Sequence, residues 1–199
     1  MDDFRPLSSP SPEPIGEHPQ EDKSSRRWLV DFAETILLSV VLFFGINAIS
    51  ARIRVESISM MPTLNPGDFV IVNKLGYKLG EPRHGDIIVF RLPRDPSQRY
   101  IKRVIGLPGD ELSIRGGAVY LNGERSLEPY VSVTTSRAGS WNVPADSYFV
   151  MGDNRNNSSD SRVWGYVPAE NLIGKAVIVY WPPREWGILG GMASAAGGP

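Results

Sequence analysis

Charged and apolar residues are distributed unevenly along the chain. From Thr35 to Ala51 no charge interrupts the run Ile36, Leu37, Leu38, Val40, Val41, Leu42, Phe43, Phe44, Ile46 and Ile49. A helix over Trp28–Ala51 is about 36 Å long at 1.5 Å per residue, enough for a hydrocarbon core of about 30 Å with some tilt. Asp31 and Glu34 are expected in its first turns, where the helix dipole favours negative charge. Trp28 suits the membrane interface. Arg26 and Arg27 precede the segment and Arg52 and Arg54 follow it, so flanking charge does not orient it. Two other readings exist. Ser25-Arg26-Arg27-Trp28 with Ala48-Ile49-Ser50 has the outline of a cleaved export signal, but the apolar run exceeds the roughly 7–15 residues of such signals. A buried core helix would need a different packing partner on every side, since no polar stripe runs along this one.

Beyond Arg52 the pattern changes to short apolar runs separated by Gly/Pro turns. Strands are predicted at 68–74, 86–91, 100–105, 111–115, 118–121, 147–151 and 175–181, with a Gly116-Gly117 turn and a hairpin signal at Asn122-Gly123. Many short strands with no long amphipathic helix predict a mainly β domain, a barrel or a double sheet. No internal repeat is visible. Residues 1–27 are rich in Ser, Pro, Glu and Gln and are expected to be disordered. The expected organisation is a tail over 1–27, a membrane helix over 28–51, a β-rich domain over 52–185 and a flexible tail over 186–199. Trp181 and Trp186 fit either core packing or a membrane surface.

Composition narrows the chemistry. The 199 residues carry a formal net charge of −1, which gives no electrostatic footprint for nucleic acid. Cysteine is absent, which removes disulfides, thiolate metal sites and cysteine nucleophiles together. The histidines are His18, in the predicted tail, and His84, in an Arg-His-Gly-Asp stretch that reads as an ordinary turn. The nucleophile-elbow pattern Gly-x-Ser-x-Gly is missing. A serine nucleophile would therefore have to find a base other than histidine.

Ser57-Ile58-Ser59-Met60-Met61-Pro62-Thr63-Leu64 offers two serines just after the apolar segment, and the stretch alone favours neither. A serine here can also simply turn the chain. On the predicted strand Tyr100–Ile105, Tyr100, Lys102 and Val104 share a face. Burial among apolar groups lowers a lysine pKa toward the range of a useful base. Arg103 stays protonated and cannot serve. The strand pattern by itself better describes a lysine that reaches water or pairs with a carboxylate. A third stretch, Met151–Gly165, is dense in hydrogen-bonding groups directly after an apolar strand, as on many surface loops, but beside a buried lysine it could orient the amine.

Taken together and in this order, the three stretches resemble the type I signal peptidases, membrane-bound Ser/Lys proteases also called leader peptidases. Ser57–Leu64 is similar to the family's nucleophile box, Tyr100–Asp110 to its lysine box, and Gly152–Arg155 through Ser158, Asp160, Ser161 and Arg162 to its third box. The resemblance spans Leu29 to about Trp181. It implies Ser59 as nucleophile, Lys102 as general base, and Ser57 with the Ser59 N–H as oxyanion hole. It implies that Ser158 hydrogen-bonds Lys102, with Asp160–Arg162 and Asp153–Arg103 as supporting ion pairs. It implies no metal or cofactor. The implied partners are preprotein signal peptides with an Ala-x-Ala type site and the lipid bilayer, with the domain monomeric on the extracytoplasmic side of the cell membrane. Glu56 stands where several relatives carry proline. The short interval from Ile105 to Gly152 implies a reduced second β region. Two other readings remain: a self-cleaving Ser/Lys protein, which would need a DNA-binding domain that 1–27 cannot supply, and a tethered β module that binds without catalysis.

Overall fold

A computed structural model describes residues 23–190. It divides between Phe43 and Phe44 into two units. Helix α1 spans Lys23–Ile49, so residues 23–27 of the predicted disordered tail are helical. The last proline before the helix is Pro19, and nothing from Lys23 onward blocks the helix from extending outward from its apolar centre. Asp31 and Glu34 consequently fall inside α1 and not in its first turn. The Arg27–Ile49 stretch is long and apolar enough to cross a membrane. Its large side chains are exposed along its length, which is not the environment of a core helix.

The helix stops where sheet pairing begins. β1 (Ser50–Arg54) pairs antiparallel with β2 (Phe69–Asn73), Ser50 opposite Asn73. Lys74 then closes the helix end: its N–H donates to the Ile49 carbonyl at 2.9 Å and its ammonium to the Asn47 carbonyl at 3.0 Å. Carbonyls of a last turn need such partners, and a cation suits that end of the dipole.

The strands that follow are β3 (Ile87–Leu92), β4 (Asp95–Gly106), β5 (Glu111–Arg115), β6 (Ala118–Leu121), β7 (Glu124–Arg125), β8 (Gly139–Asn142) and β9 (Ser147–Met151). A short helix α2 (Ser161–Trp164) precedes β10 (Val167–Pro168), β11 (Leu172–Trp181) and β12 (Gly187–Ile188). They form two antiparallel sheets, one in the order β1-β2-β11-β3-β4-β9-β10 with β12 beside β11, the other β7-β6-β5-β8. The fold is mainly β, as the turn-punctuated sequence predicts. β12 overturns part of the predicted flexible tail, because Leu189 packs on the core and its N–H bonds the Val177 carbonyl at 2.9 Å. The remainder of that predicted tail, like residues 1–22, lies outside the described residues. Trp181 and Trp186 are both exposed, not packed in the core.

Three apolar clusters hold the sheets. One, with Met60, Leu64, Val70 and Ile87, lies under the segment after β1. Another, with Phe90, Val104 and Val150, covers the opposite face of β3 and β4. The third, with Ile105, Leu112 and Phe149, joins the small sheet to the large one. At that junction Gly106 is needed for close approach, since a Cβ there would stand 2.9 Å from a Val143 methyl. For the site, the important feature is register. One row of partners runs Ser50, Asn73, Lys175, Ile88, Lys102 across the large sheet.

Candidate active site

Ser59 lies in a single 3-10 turn, Ile58–Met60, between β1 and β2. Met60 and Leu64 are fully buried and anchor that turn, and the Leu64 N–H bonds the Met60 carbonyl at 2.9 Å. From the far side of the sequence, the Asn154 N–H donates to the Ser59 carbonyl at 3.1 Å and its side-chain amide to the Ile58 carbonyl at 3.2 Å. Thr63 donates to an Asp153 carboxylate oxygen at 2.6 Å. The Ser59 segment is thus fixed by its own buried side chains and by the loop after β9.

Lys102 reaches the same point from β4. It is 3% exposed, and its Nζ lies 2.6 Å from Ser59 Oγ and 3.0 Å from the Ile101 carbonyl. The Tyr100 ring stands 5.4 Å away. Burial lowers the Lys102 pKa from 10.5 to about 8, while the Asp160 and Asp153 carboxylates oppose the shift. Ser57 Oγ is 3.0 Å from Ser59 Oγ, so the latter hydroxyl lies within reach of both a lysine amine and a second serine.

Two largely buried ion pairs frame these groups. Arg103 forks onto Asp153 at 2.8 and 2.6 Å and also donates to the Gly85 carbonyl at 2.8 Å. Arg162 forks onto Asp160 at 2.8 and 2.7 Å, and Asp160 accepts the Gly152 N–H at 3.0 Å. Asp160 also caps α2. All four side chains are at most 4% exposed, so the charges compensate each other largely out of water.

Ser158 departs from the arrangement the sequence resemblance implies. Its hydroxyl is buried with no hydrogen-bond partner among the described residues, and it makes no bond to Lys102. The amine is already held by Ser59 Oγ and the Ile101 carbonyl. Ser158 lies instead beside the Ser59 carbonyl: a Cβ placed on Gly152 would collide with both the Ser158 side chain and that carbonyl. His84 stays apart from these groups and bonds Asp110 at 2.7 Å. Sequence reasoning gave no role to Thr63, Gly152 or Asn154. Thr63 lies within the serine stretch and Gly152 and Asn154 within the third stretch, but neither pattern says what these residues bond.

A cleft of about 670 Å³ opens beside Ser59 and Lys102, bordered by β1, the segment to Ser59 and residues 98–102 of β4. A buried amine of lowered pKa on a serine hydroxyl, facing a cleft between two strand edges, can carry out acyl transfer on an extended peptide.

Several known proteins are similar to this chain in sequence. The family model described as "Signal peptidase, peptidase S26" matches residues 26–181. The chain is 44% identical over 191 residues to a signal peptidase I of Leptolyngbya laminosa, covering 92% of each chain. It is 37% identical over 182 residues to a signal peptidase I of Bacillus caldolyticus, covering 84% of this chain and 96% of that one. A crystal structure of a signal peptidase I from Enterococcus faecalis superposes with TM-score 0.45 at 33% identity, over 48% of this chain and 97% of that one. With most of its length matched by the family and its relatives aligned nearly end to end, the chain belongs to the signal peptidase family.

Proposed function

We propose that the protein is a membrane-anchored serine endopeptidase that removes signal peptides from exported preproteins, cutting after small residues of an Ala-x-Ala type site by a Ser59/Lys102 dyad. The observation that carries this reading is the 2.6 Å approach of a buried lysine Nζ to Ser59 Oγ. Neutral Lys102 takes the Ser59 hydroxyl proton as Oγ attacks the scissile carbonyl carbon. The resulting oxyanion is met by the Ser57 hydroxyl and the Ser59 N–H. The Lys102 ammonium then protonates the leaving amine, the peptide C–N bond breaks, and an ester to Ser59 remains. Lys102, again neutral, deprotonates a water that attacks the ester, releasing the signal peptide's new carboxylate and restoring Ser59. Asp153–Arg103 and Asp160–Arg162 hold the strand and loop that bring the two groups together. The preprotein binds extended, by strand addition beside β1 and β4. The anchor α1 crosses the cell membrane once, with the catalytic domain on the extracytoplasmic side, and the enzyme works as a monomer.

The test is cleavage of a detergent-solubilised preprotein by the wild type, by Ser59→Ala and by Lys102→Ala. Cleavage by the wild type alone is expected. Activity in either variant, or none in the wild type, overturns the mechanism.

A further inference from the structure

Three arginines border the cleft without an ion pair among the described residues. Its floor is apolar, with Ile53, Val89 and Ile101. Its rim holds Arg52, Arg54 and Arg99, all exposed. None of these three forms an ion pair among the described residues, whereas Arg103, Arg155 and Arg162 each close on a carboxylate. Arg99 also stands directly opposite Arg91 across β3 and β4. Like charges facing each other in a sheet destabilise it, and neither arginine forms an ion pair among the described residues. Glu56 is the one carboxylate lining the cleft.

An extended peptide turns alternate side chains to opposite sides. On the reading proposed above, the small side chains first and third before the scissile bond enter the apolar floor. The second and fourth then point toward the arginine rim. Spacing agrees: Arg99 precedes Lys102 on β4 by three residues, about 10 Å at about 3.3 Å per residue, the span from the first to the fourth substrate residue. We propose that this enzyme selects acidic side chains at the second and fourth positions before the cut, with Arg52, Arg54 and Arg99 receiving their carboxylates. Glu56 opposes the selection and keeps it from becoming absolute.

The inference rests on the proposed peptidase reaction, and the experiment separates the two. Full-length enzyme in non-ionic detergent is given three peptides containing one Ala-x-Ala type site, identical except for Ser, Glu or Lys at both the second and fourth positions. The expected order of kcat/KM is Glu above Ser above Lys. The Glu-to-Lys ratio should be about tenfold near 0.01 M salt and much smaller near 1 M, since exposed charge pairs are individually weak and screened. The double variant Arg54→Glu/Arg99→Glu should reverse the order, which compares peptides on one protein and needs no absolute rate. Equal rates for all three peptides, or the same order in the wild type and the double variant, overturns the selectivity while leaving the peptidase reading intact. If the variant does not fold, the wild type decides, and a Glu-to-Lys ratio unmoved by salt overturns it. Failure to cleave any of the three peptides overturns the peptidase reading and this inference with it.

Discussion

Lys102 shows how one side chain's surroundings set the working range of the site. Its pKa of about 8 follows first from burial, because taking an ammonium out of water favours the neutral amine. kcat/KM should therefore rise with pH through a midpoint near 8, where free lysine would give a midpoint near 10.4. A pH–rate profile that rises only near the free value contradicts the buried-base role. Ser57→Ala should lose about 10²–10³ in kcat, the usual cost of one oxyanion donor, while a loss as complete as that of Ser59→Ala would assign Ser57 a larger part. Gly152→Ala is the most informative small change. The added methyl collides with the Ser59 carbonyl and Ser158. Displacing a nucleophile by about 1 Å costs about 10²-fold, against an overpacking cost of about 1–3 kcal/mol. Kinetics and thermal unfolding measured together should show kcat falling far more than stability. At this scale the shortage of histidine pointed to lysine, but the strand pattern alone did not single out Lys102, nor the serine stretch Ser59; only the three stretches together did. The sequence could not expose Asn154, which closes on the Ile58 carbonyl from 96 positions away, because no local pattern encodes that meeting. It also misled on Ser158, whose bond depends on a distance that only the folded loop fixes.

β4 is the element that joins the two halves of the site. Consecutive residues point to opposite faces, so Lys102 meets Ser59 while Arg103 turns to Asp153 and the Gly85 carbonyl. The Arg103 guanidinium also lies 3.8 Å from the Tyr130 ring. Asp153 in turn accepts from Thr63, so one carboxylate ties β4, the loop after β9 and the serine segment. Asp153→Asn leaves a buried guanidinium without its counter-charge, which costs about 3–5 kcal/mol. Arg103→Met combined with Asp153→Leu removes both charges and should recover much of that loss. A double-mutant cycle on unfolding midpoints checks this; additive losses in the two single variants would mean that the pair is not coupled. The central, apolar part of this strand was legible from its alternation. Its first half, Asp95–Arg99, was not, since a polar run becomes a strand here only by pairing with β3. β1 was hidden for a similar reason, because it continues the apolar helix and only its partner β2 ends that helix at Ile49.

For the whole molecule, the mainly β architecture was readable in the turns, but the strand order, with β11 inserted between β2 and β3, was not. That order places several ionisable groups inside the domain, and their shifts make stability depend on pH in a definite direction. Lys102 has a folded pKa of about 8 against 10.5 unfolded. Between those values the unfolded chain holds a proton that the native chain does not, so raising the pH favours folding there. Below pH 8 both states are protonated, and the native state bears the full cost of a buried ammonium. Tyr77 and Tyr130 act in the opposite direction. Burial, aided by Asp86 at the first and Glu128 at the second, pushes both phenols far above their usual 10.0. Above pH 10 the unfolded chain therefore loses these protons first, and raising the pH favours unfolding. Thermal unfolding of the full-length protein in non-ionic detergent, followed by circular dichroism, should show a midpoint that rises from pH 8 to about pH 10 and then falls. Lys102→Met should flatten the rising limb and, at pH 7, stabilise the domain by up to about 3 kcal/mol, since one pKa unit corresponds to about 1.4 kcal/mol. A variant of unchanged or lower stability at pH 7 would mean that the Lys102 amine is not held at the expense of the fold.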